Sequence, residues 1–219
     1  MSLPDPPLLV ITDRRQARGP IESVAEAAFA GGCRWLSLRE KDLDAPSRRA
    51  LLRRLVAIGR RFGATVMVHE DVDAAIAAEA GGVHLPRGIS PAEARRRLGA
   101  SALIGCSTHD ARELTAAAGA DYVTLSPVFP SASKPGYGPA LGIDRFAAAA
   151  AAARLPVIAL GGVDAANIAS CINAGAAGVA VMGGVMAAAD VATVMAGLIR
   201  TLAPALAARG SDRHSGASS

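Results

Sequence analysis

Eight short apolar runs, each followed by an Ala-rich amphipathic stretch, leave this chain few ways to fold. The runs are LLVIT from Leu8, WLSLR from Trp35, TVMVH from Thr65, GVHL from Gly82, LIGCS from Leu103, YVTLSP from Tyr122, PVIAL from Pro156 and GVAVM from Gly178. Consecutive Val, Leu and Ile residues read as strands buried on both faces, the pattern of a parallel sheet. All eight stretches between and after them open on Asp or Pro, at Pro20, Pro46, Asp71, Pro91, Asp110, Asp144, Asp164 and Asp190. A helix N-terminus takes a cap or a fixed φ at such a position. Gly follows Ala30, Ala80, Ala118 and Ala174, just past a helix and just before the next strand. Eight β/α units in 219 residues predict a single closed (β/α)8 barrel over residues 1–208. An open doubly wound sheet, usually of about five to seven strands, is the alternative. The polar, small tail at 209–219, RGSDRHSGASS, predicts disorder.

Composition excludes several classes of partner. With 51% apolar and 19% charged residues the chain has the balance of a soluble globular domain. The net charge of +4 comes mainly from Arg in RRALLRR, GRR and RRR, which read as solvated helix faces. Aromatics make up only 3% of the residues, too few to stack the bases of a single strand, so nucleic acid is not expected. Cys33, Cys106 and Cys171 lie far apart in or beside apolar segments, which fits a reducing cytoplasm and neither a disulfide framework nor a zinc site. The start of the chain carries no basic, apolar leader, and no strongly apolar run reaches the roughly 18 residues a membrane helix needs; no membrane partner is expected. A homodimer is the assembly allowed for.

In a barrel of this type the active site lies at the carboxyl ends of the strands. Two strands close there on glycine pairs, Gly161 with Gly162 and Gly183 with Gly184. Glycine lets the backbone approach a ligand closely, and the loops after strands seven and eight with a short extra helix often hold phosphate. Tight turns needing positive φ are the alternative account. Arg39 and Lys41 alternate on a strand end and so share the barrel mouth, while Glu40 points elsewhere. Arg87 and Lys134 add to a basic ring suited to a phosphate or diphosphate. His109, two residues past Ser107, stands where an imidazole moves protons near neutral pH. His84, inside GVHL, reads as a packed core residue. His69, Glu70 and Asp71 read equally well as a hard-cation site or a helix start. The long loop from Ser126 to Gly138 has the make-up of a lid, with Lys134 as a closing cation.

The ordered motifs SLREKD, VHEDVDAA, GGVHLPRG, IGCSTHD, ADYVTLSPVFPSASKPG, VIALGGV and GVAVMGG resemble the thiamine phosphate synthase and TenI superfamily from about Leu8 to Leu202. The resemblance implies a barrel that grips a thiazole phosphate at its glycine loops. Synthases join that thiazole to a hydroxymethylpyrimidine diphosphate with magnesium, whereas TenI-type members aromatise a thiazole carboxylate phosphate by proton transfer without the metal. By position, Arg39, Lys41 and Lys134 match the diphosphate-binding cations, and Ser131 and Ser133 match hydroxyls of the thiazole-phosphate loop. Ser107 matches the serine beside the reacting pyrimidine, Gly162 and Gly183 match the phosphate cup, and His109 matches the TenI proton shuttle.

Three departures bear on the activity. Synthases usually have Gln in place of Ser37, Asn-Asp in place of His69 and Glu70, and Gly-Gln with an acidic pair in place of Pro86, Arg87, Gly88 and Ile89. Magnesium demands near-octahedral oxygen ligands at about 2.1 Å, so the set left here, Glu70 and Asp71, is weakened, and Arg87 repels a cation. The expectation is therefore a TenI-like thiazole tautomerase with His109 and Ser107 as catalytic residues and no cofactor. The alternatives are a thiamine phosphate synthase that uses magnesium, or a non-catalytic binder of thiazole or thiamine phosphates.

Overall fold

The computed structural model describes residues 2–130 and 139–215. The chain opens with β1 (Leu8–Ile11), α1 (Ile21–Ala30), β2 (Trp35–Leu38), α2 (Ala45–Arg61), β3 (Thr65–His69) and α3 (Val72–Ala77). It continues with β4 (Gly82–Leu85), α4 (Pro91–Leu98), β5 (Leu103–Thr108), α5 (Ala111–Ala116), β6 (Tyr122–Leu125) and α6 (Gly142–Ala152). The last units are β7 (Val157–Leu160), α7 (Ile168–Asn173), β8 (Gly178–Val181), a four-residue α8 (Gly183–Met186) and α9 (Val191–Ser215). Every strand pairs in parallel with its sequence neighbour, and β8 pairs with β1, so the sheet is closed and the open alternative falls away.

Alternation along the strands divides the core in two. Leu8 and Val10 point outward into the layer shared with the helices, where Val24, Phe29, Leu52, Leu55, Phe146, Ile172 and Met195 pack. Leu9, Ile11, Trp35, Met67, Leu103, Tyr122, Ile158 and Ala180 point inward and fill the barrel. Trp35 is fully buried there, edge-on to Tyr122 at 4.7 Å between ring centroids, and its indole N–H points to Met67 Sδ at 3.0 Å. The three cysteines are buried and free, with thiols pushed up to about 12, 11 and 11 by burial.

The Asp signals work as caps where helices begin close behind them. Asp44, Asp71 and Asp110 accept backbone N–H groups of the first turns of α2, α3 and α5. Asp164 instead closes a turn, accepting from the Ala166 N–H, and α7 starts later at Ile168. The last helix departs most from expectation. Instead of ending near Leu202 before a disordered tail, α9 runs through Ser215, and the Arg209 guanidinium ties it to the Ala176 carbonyl. Its stretch Val191–Gly210, with mean hydropathy 1.6, is long and apolar enough to cross a membrane, contrary to the reading that no run qualifies. Val191, Met195, Leu198, Leu202 and Ala205 recur along one face and are buried in the layer between helices and barrel. That face gives the apolar composition a packing role.

Gly82 leaves no room for a side chain against β5: a Cβ built there falls 1.9 Å from the Leu103 carbonyl oxygen. Gly82→Ala is expected to cost about 1–3 kcal/mol through forced displacement of β5. Urea unfolding of the two proteins measures the difference.

Candidate active site

Above the Trp35–Tyr122 plug the barrel interior turns polar. Ser37, His69, His84, Ser107 and Thr124 stand at the upper ends of β2 to β6 and bond in two sets, Ser37 with His69, and His84 with Ser107 and Thr124. Ser37 Oγ meets His69 Nδ1 at 2.9 Å; His84 meets Tyr122 OH through Nδ1 at 2.9 Å and Ser107 Oγ through Nε2 at 3.0 Å. The two imidazoles lie 4.7 Å apart. His69, His84 and Ser107 of this layer line a cavity of about 1320 Å³.

The cavity walls differ in chemistry. One side carries Arg39, Lys41 and Arg87, the other Gly161, Gly162, Gly183 and Gly184, with Ser107 and His109 between them. The structure thus brings together on one cavity the predicted Arg39, Lys41, Ser107, His109 and both glycine pairs. Ser131, Ser133 and Lys134 lie outside the described residues.

Local structure aims these groups. Thr12 accepts the Arg39 N–H at 2.9 Å and anchors the end of β2. Glu40 turns away from the mouth, as its strand parity requires, and both its oxygens accept the Arg14 N–H, at 3.1 and 3.0 Å. Burial holds the Glu40 carboxyl above the ordinary range. His109 Nδ1 contacts the Ser126 carbonyl at 2.8 Å; a carbonyl only accepts, so the proton is on Nδ1 and the lone pair of the neutral ring is on Nε2. The Glu113 carboxylate accepts the His109 backbone N–H at 2.7 Å and pairs with Arg87 at 3.2 Å.

The glycine pairs prove unlike each other. Gly161 and Gly162 have φ of 96° and 65°, and Cβ atoms there would fall 2.8 Å from Pro127 Cα and 2.5 Å from the Pro130 carbonyl oxygen. The loop after β6 is pinned on them, Phe129 N–H donating to the Gly161 carbonyl at 3.0 Å. Gly183 and Gly184 begin α8, and a Cβ on Gly184 would meet open space.

The magnesium that the synthase resemblance implies does not fit the residues present. Asp71 caps α3 through the Ala74 N–H and pairs with Arg48 at 2.9 Å, which holds its carboxyl below the usual range. Glu70, at φ 67°, pairs with Lys41 at 3.2 Å. Among the described residues no group of three or more His, Cys, Asp or Glu side chains is placed to hold a metal. Of the two readings of the His69–Asp71 knot, the helix start is the one the geometry bears out.

Sequence reasoning read His84 as a packed core residue, which its burial bears out, but did not see that with Tyr122 it supports Ser107 from below; Gln16 and Asn167 it passed over. Gln16 lines the cavity, and Asn167 Nδ2 donates to the Gly162 carbonyl at 2.9 Å. For the pair beneath Ser107 the available signal is Gly105, a glycine inside a strand, which marks a close approach.

Comparison with known proteins agrees with this geometry. Residues 8–185 match the family model described as thiamine monophosphate synthase. The chain belongs to that family. A Geobacter sulfurreducens relative, provisionally named a thiamine-phosphate synthase, is 46% identical over 187 residues, 84% of this chain and 88% of that protein. The thiamine-phosphate synthase of Methanoculleus marisnigri is 42% identical over 207 residues, covering 91% of this chain and 97% of its own. Among solved structures, thiamine phosphate pyrophosphorylase from Pyrococcus furiosus superposes with a TM-score of 0.80 at 28% identity, over 91% of this chain and 96% of that one. These relatives reverse the order of the two enzymatic readings: they carry the synthase name, and none of them supports the TenI-like tautomerase.

His84 gives the site a pH signature. Burial, aided by the Arg39 charge, pushes its imidazole down to about 3. An unfolded histidine titrates near 6.5, so between about 3 and 6.5 the unfolded chain binds a proton that the native one refuses. Stability must fall with pH through that window, by up to about 1.4 kcal/mol per unit. In denaturant titrations at pH 6.5 and 5, His84→Gln is expected to lose about 2 kcal/mol less than the parent protein.

Proposed function

We propose that this chain is a thiamine-phosphate synthase, joining a thiazole phosphate to a hydroxymethylpyrimidine diphosphate. A bond forms between the thiazole ring nitrogen and the pyrimidine methylene carbon. The carbon–oxygen bond to the diphosphate breaks, and the diphosphate leaves with the electron pair. The observation that carries this reading is the size and two-sidedness of the cavity. At about 1320 Å³ it exceeds the roughly 300–1,000 Å³ of an ordinary single-ligand pocket, and it offers separate anion-binding walls. The names of the relatives point the same way.

In this scheme Gly183 and Gly184 offer first-turn backbone N–H groups, which have no intrahelical acceptor, to the thiazole phosphate. Arg39 and Lys41 hold the diphosphate and meet the charge that develops on it as the bond breaks. Lys41 leaves an exposed partner, Glu70, so the exchange costs little. Ser107 orients the pyrimidine. The tautomerase reading retains one observation in its favour, the Nδ1 proton of His109 fixed by Ser126, which orients the ring at the cavity.

The purified protein, given both substrates in magnesium buffer, is expected to produce thiamine phosphate and diphosphate. Arg39→Ala is expected to raise KM for the pyrimidine diphosphate by about tenfold or more and to leave KM for thiazole phosphate unchanged. If no thiamine phosphate forms, and the non-aromatic thiazole carboxylate phosphate is aromatised by the parent protein but not by His109→Asn, the tautomerase reading replaces this one.

A further inference from the structure

Tyr122, His84 and Ser107 form a line of hydrogen bonds from the barrel core to the cavity. Tyr122 OH lies 2.9 Å from His84 Nδ1, and His84 Nε2 lies 3.0 Å from Ser107 Oγ. Tyr122 is fully buried and His84 almost so, whereas Ser107 opens on the cavity. The line depends on a gap in the strand between them. His84, Gly105 and Tyr122 are in register on β4, β5 and β6, and a Cβ on Gly105 would fall 2.1 Å from Tyr122 Cζ and 2.4 Å from its oxygen. Only glycine lets the phenol cross β5 to reach the imidazole.

A neutral imidazole carries one N–H, so the line has two proton arrangements. In the first, Tyr122 donates to Met67 Sδ at 3.7 Å, accepts from His84 Nδ1, and leaves Nε2 to accept the Ser107 proton. In the second, Tyr122 donates to Nδ1, Nε2–H donates to Ser107 Oγ, and the Ser107 proton is turned into the cavity. The first gives the phenol to a thioether, a weak acceptor that already faces the Trp35 N–H at 3.0 Å. The second gives the phenol to an imidazole nitrogen, and all three donors run one way, each polarising the next. Thr124 Oγ1, 3.4 Å from Nε2, serves this arrangement as an additional acceptor.

We propose that Tyr122 and His84 are positioning residues that commit the Ser107 hydroxyl to donate into the cavity, so that the site selects a ligand presenting a hydrogen-bond acceptor at that point. The identity of that ligand, an unprotonated pyrimidine ring nitrogen, rests on the synthase reading; the direction of the hydrogen bonds does not. A pyrimidine whose ring nitrogen is replaced by C–H would leave the Ser107 proton unpaired in the site and be discriminated against.

Two measurements decide it. In 15N NMR of histidine-labelled protein without ligand, the His84 signals, assigned by their loss in His84→Gln, are expected to show protonated Nε2 and unprotonated Nδ1. The opposite tautomer overturns the proposal whether or not the protein is a synthase. In the coupling assay, Tyr122→Phe, which removes one oxygen, is expected to raise KM for the pyrimidine diphosphate by about tenfold with kcat and KM for thiazole phosphate nearly unchanged. Adding Tyr122→Phe to Ser107→Ala is expected to change nothing further, since the pair acts through that hydroxyl. Full additivity of the two substitutions overturns it. A parent protein that makes no thiamine phosphate but shows the expected tautomer sinks the synthase reading and leaves the positioning pair standing.

Discussion

The closed parallel ladder is the constraint from which the site follows. Once β8 pairs with β1, every second residue of every strand must point into a space with no exit but its two ends. Leu9, Trp35, Met67 and Tyr122 fill that space to the depth of the indole. Whatever stands one pleat higher must face either an empty top or its neighbours. The chain places Ser37, His69, His84, Ser107 and Thr124 there, paired as Ser37 with His69 and His84 with Ser107 and Thr124, and of these His69, His84 and Ser107 reach the cavity. Groups held in this way by their neighbours need little reorganisation to meet a ligand.

The departures from the usual synthase pattern then read as coupled changes. Ser37, shorter than the usual Gln, leaves room that the longer His69 enters and bonds. Glu70, in place of the usual Asp, reaches Lys41, and Arg87, near the missing acidic pair, reaches Glu113. Each change has a partner across one strand boundary, so the mouth has kept its internal pairing while losing the geometry of a protein-held metal. Cationic side chains remain on that wall, and a cation can stabilise a departing diphosphate through charge alone.

Much of the architecture was legible because burial on both faces writes a continuous apolar run, and all eight runs became strands of the barrel. The ends of elements were less legible. Asp164 looked like the other helix starts but caps a turn, since nothing in a single residue distinguishes the two uses. The polar residues after Ala208 hid the continuation of α9 to Ser215, a case of tertiary anchoring overriding local composition. At the mouth, charged residues at strand ends announced themselves. His84 did not, because a histidine within GVHL looks like core, and its bond to Ser107 crosses 23 residues of sequence through a register that no local pattern reveals.

The two glycine pairs show why a repeated motif need not repeat a role. Gly161 and Gly162 occupy left-handed backbone with the chain after β6 packed on them, so any side chain there would displace Pro127 or Pro130. Steric demand alone accounts for glycine at both positions, which keep that loop seated on the end of β7. Gly184 is under no such demand: its conformation suits any residue, and the space beside it is open. An unforced glycine lining the cavity, at the start of a four-residue helix in the place where barrels of this kind bind phosphate, is better explained by the approach of a ligand than by the fold. In the proposed synthase scheme the anion therefore falls chiefly to the second pair, and the first pair supplies the wall beside it.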